Sequence, residues 1–335
     1  MTRRLATRPL SVVACMLAMV LIATTAGCTT GPRSGGKVVV GFSAWPGWFP
    51  WQIAHEQRLF AKHGIEVELK YFDNYTESLK ALAAGAIDAN SQTLNDTLAS
   101  VSGGARQTIV LVNDNSTGND KIIARDGIVS VADLKGKRVA VEQGTVDHYL
   151  LLLALEQAGL TQNDIELSPM PTDAAAAAFV AGQVDAVGVF APFTTTALER
   201  PGSRSIATSV EFPGAIPDHL VVESSTVHER PADVQALVDT WFDVLRWIRD
   251  NKDAAVDLMA KRAGVSAVDY RTYDSGTTIF TRQQNIDAFT PGTTPAHLNF
   301  QAARVSDFMV NTGLVGEPPS LEELLDGRFV AAAPE

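Results

Sequence analysis

Short apolar runs and longer amphipathic runs alternate from residue 37 onwards, a pattern that indicates alternating strands and helices. The β-branched run KVVVGF at 37–42 predicts a buried strand, and apolar positions three or four residues apart predict a helix over 51–63 that ends at Gly64. A strand at 65–72, a helix at 78–84 and strands at 87–89 and 108–112 follow. This βαβα order predicts a parallel sheet covered by helices on both faces.

The same plan recurs further along the chain. Strands are predicted at 137–141, 165–168 and 184–189, and helices at 146–158 and 174–181. The two parts also share a sequence motif, since ALAAGAIDA at 81–89 resembles FVAGQVDA at 179–186. Each copy has a helix end, a glycine and a strand that opens with Ile or Val, Asp and Ala. We therefore predict two similar α/β lobes.

The remaining residues predict mostly amphipathic helices, of which 234–247 is the clearest. We read these helices as packing on the first lobe. The sequence then divides into a discontinuous lobe 1, residues 37–122 and 222–335, and a continuous lobe 2, residues 123–221. Two crossings between lobes make a hinge, and such a build is typical of proteins that close around a small ligand.

The N-terminus predicts an export signal. Three arginines precede an apolar stretch at 10–23, which is short for a membrane span, and Ala26 and Gly27 precede Cys28. We interpret residues 1–27 as a lipoprotein signal peptide, Cys28 as the lipidated residue and 28–36 as a flexible tether rich in Gly, Thr, Ser and Pro. Thr25 occupies a position where lipoproteins usually carry Leu, and an ordinary secretory signal is the alternative.

Composition narrows the function classes. Without residues 1–27, which hold three arginines and no acidic residue, 24 Lys and Arg stand against 38 Asp and Glu, a net charge of −14. Such a surface argues against nucleic-acid or anionic-membrane binding. Cys15 and Cys28 are the only cysteines in the sequence. The mature chain is therefore expected to lack disulfides, cysteine metal sites and thiol nucleophiles.

Five motifs in a fixed order resemble a known family. They are the stretch FSAWPGWFPWQIAHEQRLFAKHGIEVE at 42–68, LAAGAID at 82–88, VADLKGKRVA at 131–140, Gly144-Thr145 before a helix, and AGQVDA at 181–186. Together they resemble the solute-binding lipoproteins of ABC importers in the nitrate, sulfonate, taurine and thiamine-precursor superfamily.

The resemblance implies a periplasmic-binding-protein fold of type II. In this α/β fold each of two lobes is a mostly parallel sheet flanked by helices, with the ligand cleft between them. It further implies a monomer outside the cytoplasmic membrane that carries a small nitrogen- or sulfur-containing metabolite to a permease with a partner ATPase, without a cofactor.

The resemblance also implies where a ligand binds, namely at strand ends and helix starts, where free backbone N–H groups are available. The candidate ligand-binding residues at these places are Trp45, Trp48, Gln92, Thr93, Asn95, Asp114, Asn115, Gly144, Thr145, Asp147, His148, Phe190 and Asp218. Each has a structural alternative. The tryptophans could be core residues, and the polar side chains could be helix caps, Asx turns or hinge hydrogen bonds.

The charges of these candidates favour one ligand class over another. Asp114, Asp147 and Asp218 are acidic, and apart from His148 and His219 the segments offer no basic residue. Backbone amides alone could hold an anion. Tryptophans beside carboxylates are better matched to a cationic or neutral nitrogenous solute. We therefore expect an amine-bearing or heteroaromatic ligand rather than nitrate or a sulfonate.

Two other functions occur on this fold. The pyrimidine-precursor synthases resemble this superfamily, but they use a cysteine-rich iron site that this sequence lacks. The six histidines show no metal-binding spacing, and no Gly-x-Ser-x-Gly, P-loop or dinucleotide motif is present. We therefore expect neither an enzyme nor a metal site. A sensory lipoprotein of the same fold, which reports its ligand to a receptor, is the remaining alternative.

Overall fold

The computed structural model describes residues 36–334. The predicted signal peptide, Cys28 and all but the last residue of the predicted tether lie outside the described residues. Within 36–334, no helix has the length and apolar character needed to cross a membrane.

The first sheet has six strands in the order β11-β4-β10-β3-β1-β2. Its strands are β1 Val38–Phe42, β2 Val67–Tyr71, β3 Ala89–Thr93, β4 Gln107–Ser116, β10 Pro217–Glu223 and β11 Thr277–Ile279. β1 pairs in parallel with β2 and β3, whereas β10 runs antiparallel to both β3 and β4.

The second sheet has five strands in the order β7-β6-β8-β5-β9. Its strands are β5 Asp120–Ala124, β6 Arg138–Val141, β7 Glu166–Pro169, β8 Ala186–Phe190 and β9 Arg204–Thr208. β6 pairs in parallel with β7 and β8, and β5 runs antiparallel to β8 and β9.

Helices cover both sheets. They are α1 Pro50–Glu56, α2 Leu59–Lys62, α3 Tyr75–Ala83, α4 Leu94–Ser102, α5 Val146–Gln157, α6 Thr172–Val180, α7 Phe193–Leu198, α8 Ser224–Glu229, α9 Pro231–Asp250, α10 Lys252–Ala263, α11 Ala267–Arg271, α12 Arg282–Phe289, α13 Leu298–Asn311 and α14 Arg328–Ala332. The clearest predicted helix is α9, which packs on α1 with the Trp51 and Trp241 ring centroids 4.8 Å apart.

The repeated sequence plan corresponds to a repeated sheet plan. The order β2-β1-β3 of the first sheet matches the order β7-β6-β8 of the second, and in each sheet the last of these strands pairs with an antiparallel strand that comes from elsewhere in the chain. That strand is β10 in the first sheet and β5 in the second. The two-lobed α/β architecture is confirmed. The sheets are mixed rather than mostly parallel, because each crossing strand is antiparallel to the strands on both sides of it.

The crossing strands place the lobe boundaries a few residues from the predicted ones. β5, 120–124, pairs entirely within the second sheet, and β10, 217–223, pairs entirely within the first. The sequence boundaries at 122 and 221 cut through both strands. The crossings therefore lie between β4 and β5 and between β9 and β10.

Two local predictions differ from the structure. The single helix predicted over 51–63 is broken at Arg58, whose φ of 55° lies in the left-handed region and separates α1 from α2. β3 and β4 also run further than predicted, through Asn90–Thr93 and Asn113–Ser116. These polar residues lack the apolar alternation that signals a strand, and their side chains bond to one another inside the protein instead.

Candidate ligand-binding site

A small cavity lies between the two lobes. Its volume is about 10 Å³, room for a single water molecule. It is lined by Ala44, Trp45, Trp48, Tyr75, Thr93, Asp120, Val146, Phe190, Ile216 and Asp218. Residues of both sheets contribute, and every one of these side chains is buried. The lobes are thus closed over this point.

Four aromatic rings surround the cavity in a continuous ring of contacts. Trp45 lies 6.4 Å from Trp48, Trp48 lies 5.3 Å from Tyr75, and Tyr75 lies 6.2 Å from Phe190, measured between ring centroids. Phe190 returns to Trp45 at 6.3 Å. Three rings come from the first lobe and Phe190 from the second. A cation placed among such rings is attracted by their faces.

The loop after β1 supplies two of the three clustered tryptophans. Trp45 and Trp48 lie in this loop, and the Trp48 amide donates to the Trp45 carbonyl at 3.0 Å. Pro50 starts α1 at a position where its missing N–H costs nothing. Trp51, one residue into α1, points into the core instead, where its Nε1 donates to Ser91 Oγ at 2.9 Å.

Three neighbouring strands of the first sheet set a row of polar side chains beside the cavity. In the strand register Asp218 of β10 pairs with Thr93 of β3 on one side and with Asp114 of β4 on the other. Trp45 Nε1 donates to Asp114 Oδ1 at 2.9 Å. Directly opposed residues lie about 4.5–5.5 Å apart, so the two carboxyls are close neighbours.

The second lobe contributes a third carboxyl, that of Asp120, which was not among the predicted site residues. Asp120 opens β5 and pairs in register with Phe190 at the end of β8. β5 holds the place in the second sheet that β10 holds in the first, so Asp120 and Asp218 occupy corresponding places in the two lobes. A search for an acidic residue at the start of both crossing strands could have found it.

Burial raises the pKa of every aspartate around the cavity. Desolvation raises the pKa of Asp96, Asp114 and Asp120 to about 7. Burial also raises the pKa of Asp218 well above its usual range, and the carboxylates of Asp114 and Asp120 raise it further. The pKa of Asp147 is raised in the same way, first by desolvation. These groups favour either a bound proton or a nearby positive charge.

The described residues supply no such positive charge inside the protein. Among residues 36–334 no lysine or arginine is buried. Lys121 follows Asp120 in β5, but successive side chains of a strand point to opposite faces of the sheet. Nor does any group of three or more His, Cys, Asp or Glu within 36–334 have a metal-binding arrangement. The carboxyl cluster therefore faces a cavity that a cationic group could complete.

Five of the predicted site residues line this cavity, namely Trp45, Trp48, Thr93, Phe190 and Asp218. Asp114 does not line it but accepts a hydrogen bond from the cavity residue Trp45. Tyr75 was missed, although it is the first residue of α3 and its hydroxyl accepts from the Thr93 amide at 3.0 Å. Its position at the start of α3 is the sequence signal that could have identified it as a site residue.

Three predicted residues of the first lobe bond elsewhere. Gln92 Nε2 donates to Thr97 Oγ1 and Gln107 Oε1, and Asn95 Nδ2 donates to Asp96 Oδ1 at 2.9 Å. Asn115 Nδ2 donates to the Ser116 carbonyl at 2.8 Å. None of the three lines the cavity.

The predicted residues around the start of α5 form a network within the second lobe. The Gly144 amide donates to His148 Nδ1 at 3.2 Å, and His148 Nε2 lies 2.6 Å from Gln162 Oε1. The Thr145 hydroxyl donates to the Glu142 carbonyl at 2.8 Å, and the Asp147 carboxylate accepts from Thr172 at 2.8 Å. These four residues bond within the second lobe, and none of them lines the cavity.

Comparison with known proteins gives the family. The model of the NMT1-like family matches residues 32–264. The chain belongs to the NMT1-like family. A relative in Brucella abortus (strain 2308), named only as a binding protein, is 31% identical over 224 residues, 66% of this chain and 69% of that protein. The taurine-binding periplasmic protein of Escherichia coli (strain K12) is 26% identical over 248 residues, 70% of this chain and 76% of that protein.

Solved structures show the same fold for this NMT1-like chain. The alkanesulfonate-binding protein SsuA from Xanthomonas axonopodis pv. citri, bound to MOPS, superposes with a TM-score of 0.75 at 20% identity, over 88% of this chain and 99% of that one. The family resemblance and the periplasmic-binding-protein fold inferred from the sequence are thus confirmed.

An enzyme is also among the relatives. The 2'-hydroxybiphenyl-2-sulfinate desulfinase of Rhodococcus erythropolis is 28% identical over 192 residues, 42% of this chain and 52% of that protein. This match is shorter than those to the two binding proteins above. The relatives above that match about two thirds or more of this NMT1-like chain are both named as binding proteins.

Proposed function

We propose that the protein is the extracytoplasmic solute-binding component of an ABC importer and that it captures a small amine-bearing or heteroaromatic solute. The observation that carries the ligand class is the buried carboxyl cluster of Asp114, Asp120 and Asp218, which has aromatic walls and no basic partner. The importer role rests on the five sequence motifs and on relatives that are named as binding proteins.

The proposed cationic or heteroaromatic ligand differs from the sulfonates and taurine that appear in the names of several relatives. An inorganic anion or a simple sulfonate would have to replace water next to three carboxyls, and like charges in a dry site repel strongly. A cationic group reverses the sign of that interaction and gains charge-assisted hydrogen bonds. Taurine carries an ammonium group beside its sulfonate, so a relative that binds taurine also accommodates a positive charge.

Closure of the lobes is the proposed mechanism of capture. Contacts that join the lobes in the closed form support it, since the Thr76 amide donates to Glu142 Oε1 at 3.2 Å and the Thr195 and Tyr273 hydroxyls lie 2.7 Å apart. The two crossings after β4 and before β10 are the proposed hinge. Because one chain supplies both walls of the cavity, a monomer suffices. The closed lobes would then dock on the permease, whose ATPase drives transport.

The lipid anchor at Cys28 is part of the proposal. It would hold the protein beside its permease on the outer face of the cytoplasmic membrane. Metabolic labelling with a fatty-acid analogue tests it. Label that is present in the wild type and absent in Cys28→Ser supports the anchor, and label that is equal in both, or absent from both, refutes it.

A thermal-shift screen tests the ligand class. A ligand that binds only the folded state raises the melting temperature in proportion to the logarithm of its concentration. We expect stabilisation by small amines or amine-bearing heterocycles and none by nitrate or alkanesulfonates that lack an amino group. Stabilisation by the anions alone would refute a cationic ligand while leaving a solute-binding role intact. No stabilisation by any small solute would count against the solute-binding role itself.

A further inference from the structure

Unpartnered polar atoms on the cavity wall define what a ligand must supply. With the carboxyls ionised, three oxygens of the wall receive no hydrogen bond, namely Asp120 Oδ2 and both oxygens of Asp218, and Asp114 Oδ2 behind Trp45 is also without a partner. Each of the three residues is at most 1% exposed. Trp48 Nε1 is the matching unpartnered donor of the cavity wall. Buried polar atoms in native proteins are nearly always hydrogen-bonded, so a bound molecule is the natural partner.

The imbalance of donors and acceptors selects the chemistry. On the cavity wall three acceptor atoms stand against one donor, and the acceptors belong to carboxyls that carry negative charge when ionised. An anion would leave all of them unpaired. A quaternary ammonium ion satisfies the charge and the aromatic rings, but it has no N–H and would leave the same oxygens without partners, a cost of about 1–3 kcal/mol for each lost hydrogen bond.

The acceptors come from both lobes. Asp114 and Asp218 lie on adjacent strands of the first sheet, and Asp120 lies on the crossing strand of the second. A ligand that meets Asp120 Oδ2 and both oxygens of Asp218 therefore needs N–H groups that point in at least three directions. The group that enters the closed cavity must also be small, since about 10 Å³ has room for one group the size of a water molecule, and a larger ligand holds the lobes further apart.

Building on the proposed function, we propose that the ligand is a small organic cation with at least three N–H donors, held by Asp218 of one lobe and Asp120 of the other, with the Asp114 carboxyl next to Asp218 adding its negative charge. Primary ammonium, amidinium and guanidinium groups belong to this class. Delocalised planar cations can also stack on aromatic rings while their N–H edges meet carboxylates. Trp48 Nε1 then remains for a ligand acceptor or a bridging water.

The same geometry makes Asp120 the residue that couples binding to closure. In the open form a cation can reach only Asp218, with the charge of Asp114 next to it. Closure brings the negative charge of Asp120 towards theirs, which is unfavourable unless a cation lies between them. The cation thus stabilises the closed form, and Asp120 determines how strongly.

Isothermal titration calorimetry with a graded set of probes tests the proposal. The probes are guanidinium and methylammonium, which offer six and three N–H donors, tetramethylammonium, which offers none, and taurine, nitrate and methanesulfonate. Guanidinium is used far below denaturing concentrations. We expect the wild type to bind the donor-rich cations and to bind tetramethylammonium at least about tenfold more weakly.

Variants test the role of Asp120. Asp120→Asn keeps the shape but loses the charge, and we expect it to bind the best cation about 10- to 100-fold more weakly. Asp257→Asn is the matched control, since Asp257 is exposed on α10. Unchanged affinity in Asp120→Asn would overturn the assignment of this residue.

The outcomes separate the two proposals. Equal binding of tetramethylammonium and the donor-rich cations overturns the N–H requirement while a cationic ligand stands. Binding of nitrate or methanesulfonate, with no cation bound, overturns both ligand assignments. Because these comparisons use the wild-type protein alone, they remain decisive even if a variant fails to fold.

Discussion

Asp218 is a residue at which binding and stability make opposite demands. Its carboxyl is buried beside that of Asp114, and with both ionised neither of its oxygens has a hydrogen-bond donor. Burial of an unpaired carboxyl costs stability, and directly opposed like charges on neighbouring strands add to that cost. Such a residue contributes favourably only when a bound ligand pairs with its carboxyl, a trade of stability for function that is common in binding sites.

The first prediction concerns Asp218→Asn. We expect the ligand-free variant to melt higher than the wild type, by about 2–4 °C for each 1 kcal/mol of relieved repulsion and desolvation. The same variant should lose the thermal shift that cationic ligands cause. Differential scanning calorimetry with and without ligand measures both effects. A variant that melts lower and still responds to cations would show that Asp218 has a structural role instead.

The second prediction concerns pH. The pKa values of Asp96, Asp114 and Asp120 rise to about 7 in the folded protein, whereas an unfolded chain loses these protons near pH 4. The folded state therefore binds more protons between these values, and stability should fall as pH rises from about 4 to 7. Burial lowers the pKa of His219 to about 3 and also lowers that of His148, which acts in the opposite direction.

Melting curves of the ligand-free protein at constant ionic strength check this dependence. Asp120→Asn isolates it, because its melting temperature should fall less than that of the wild type between about pH 5 and pH 7. Affinity for a cation should rise over the same range, since the cation competes with the bound protons. Parallel curves for the two proteins would contradict the prediction. Burial raises the pKa of five acidic groups around the cavity, namely Asp96, Asp114, Asp120, Asp147 and Asp218. The carboxylate of Glu142 on the second lobe lies near them and accepts from Thr172.

At the scale of elements, β10 and the loop after β1 assemble the first-lobe wall. β10 sits between β3 and β4 and brings Asp218 into line with Thr93 and Asp114. A one-residue slip in register would turn Asp218 to the other face of the sheet. The loop then passes directly over Asp114, and this approach requires a glycine. A Cβ on Gly47 would lie 1.9 Å from Asp114 Oδ2.

The third prediction follows from that contact. Gly47→Ala should displace the loop or the Asp114 carboxyl, at a cost of about 1–3 kcal/mol in stability, and should weaken ligand binding as well. Urea unfolding and calorimetric titration measure the two effects. Gly316→Ala is the control, because no heavy atom lies within 4 Å of a Cβ at that position. Equal behaviour of the two variants would contradict the close approach.

At the scale of the whole molecule, the lobes meet around the cavity through side chains on both sides of it. The Thr76 amide and hydroxyl at the start of α3 donate to Glu142 of the second lobe, whose other carboxylate oxygen accepts from Thr172 Oγ1 at 2.8 Å. Tyr149 of α5 packs edge-on against Phe308 of α13 with ring centroids 5.4 Å apart. These contacts join the lobes in the closed form.

The fourth prediction is that Thr76→Val weakens closure. The variant removes one hydrogen bond to a charged group, worth about 1.5–3 kcal/mol, so ligand affinity should fall roughly 10- to 100-fold with little change in secondary structure. Small-angle scattering should show less compaction on ligand addition than in the wild type. Thr272→Val is the control, since the Thr272 hydroxyl donates only to the Asp269 carbonyl next to its own helix. Wild-type affinity in Thr76→Val would rule out this contact as a latch.

The sequence by itself determined the two-lobed α/β plan, the family and several residues of the cavity. Hydrophobic periodicity and glycine caps are local signals, and they repeat where the lobes repeat. The loop tryptophans and Asp218 were found because they occupy strand ends in the family pattern. The polar ends of β3 and β4 were missed, since a strand whose side chains bond to each other inside the protein has no apolar alternation to detect.

Only the tertiary structure decided which candidates meet. Asp120 and Asp218 are almost a hundred residues apart in the chain, and they converge because the two crossing strands enter opposite sheets at the same cleft. Trp51 belongs to the core and Trp45 to the cavity, although both lie in one short tryptophan-rich segment. The net charge around a site depends on which side chains lie together in a buried space. Periodicity is a property of neighbouring residues and can be detected in the sequence, whereas the distance between residues far apart in the chain is set by the tertiary fold.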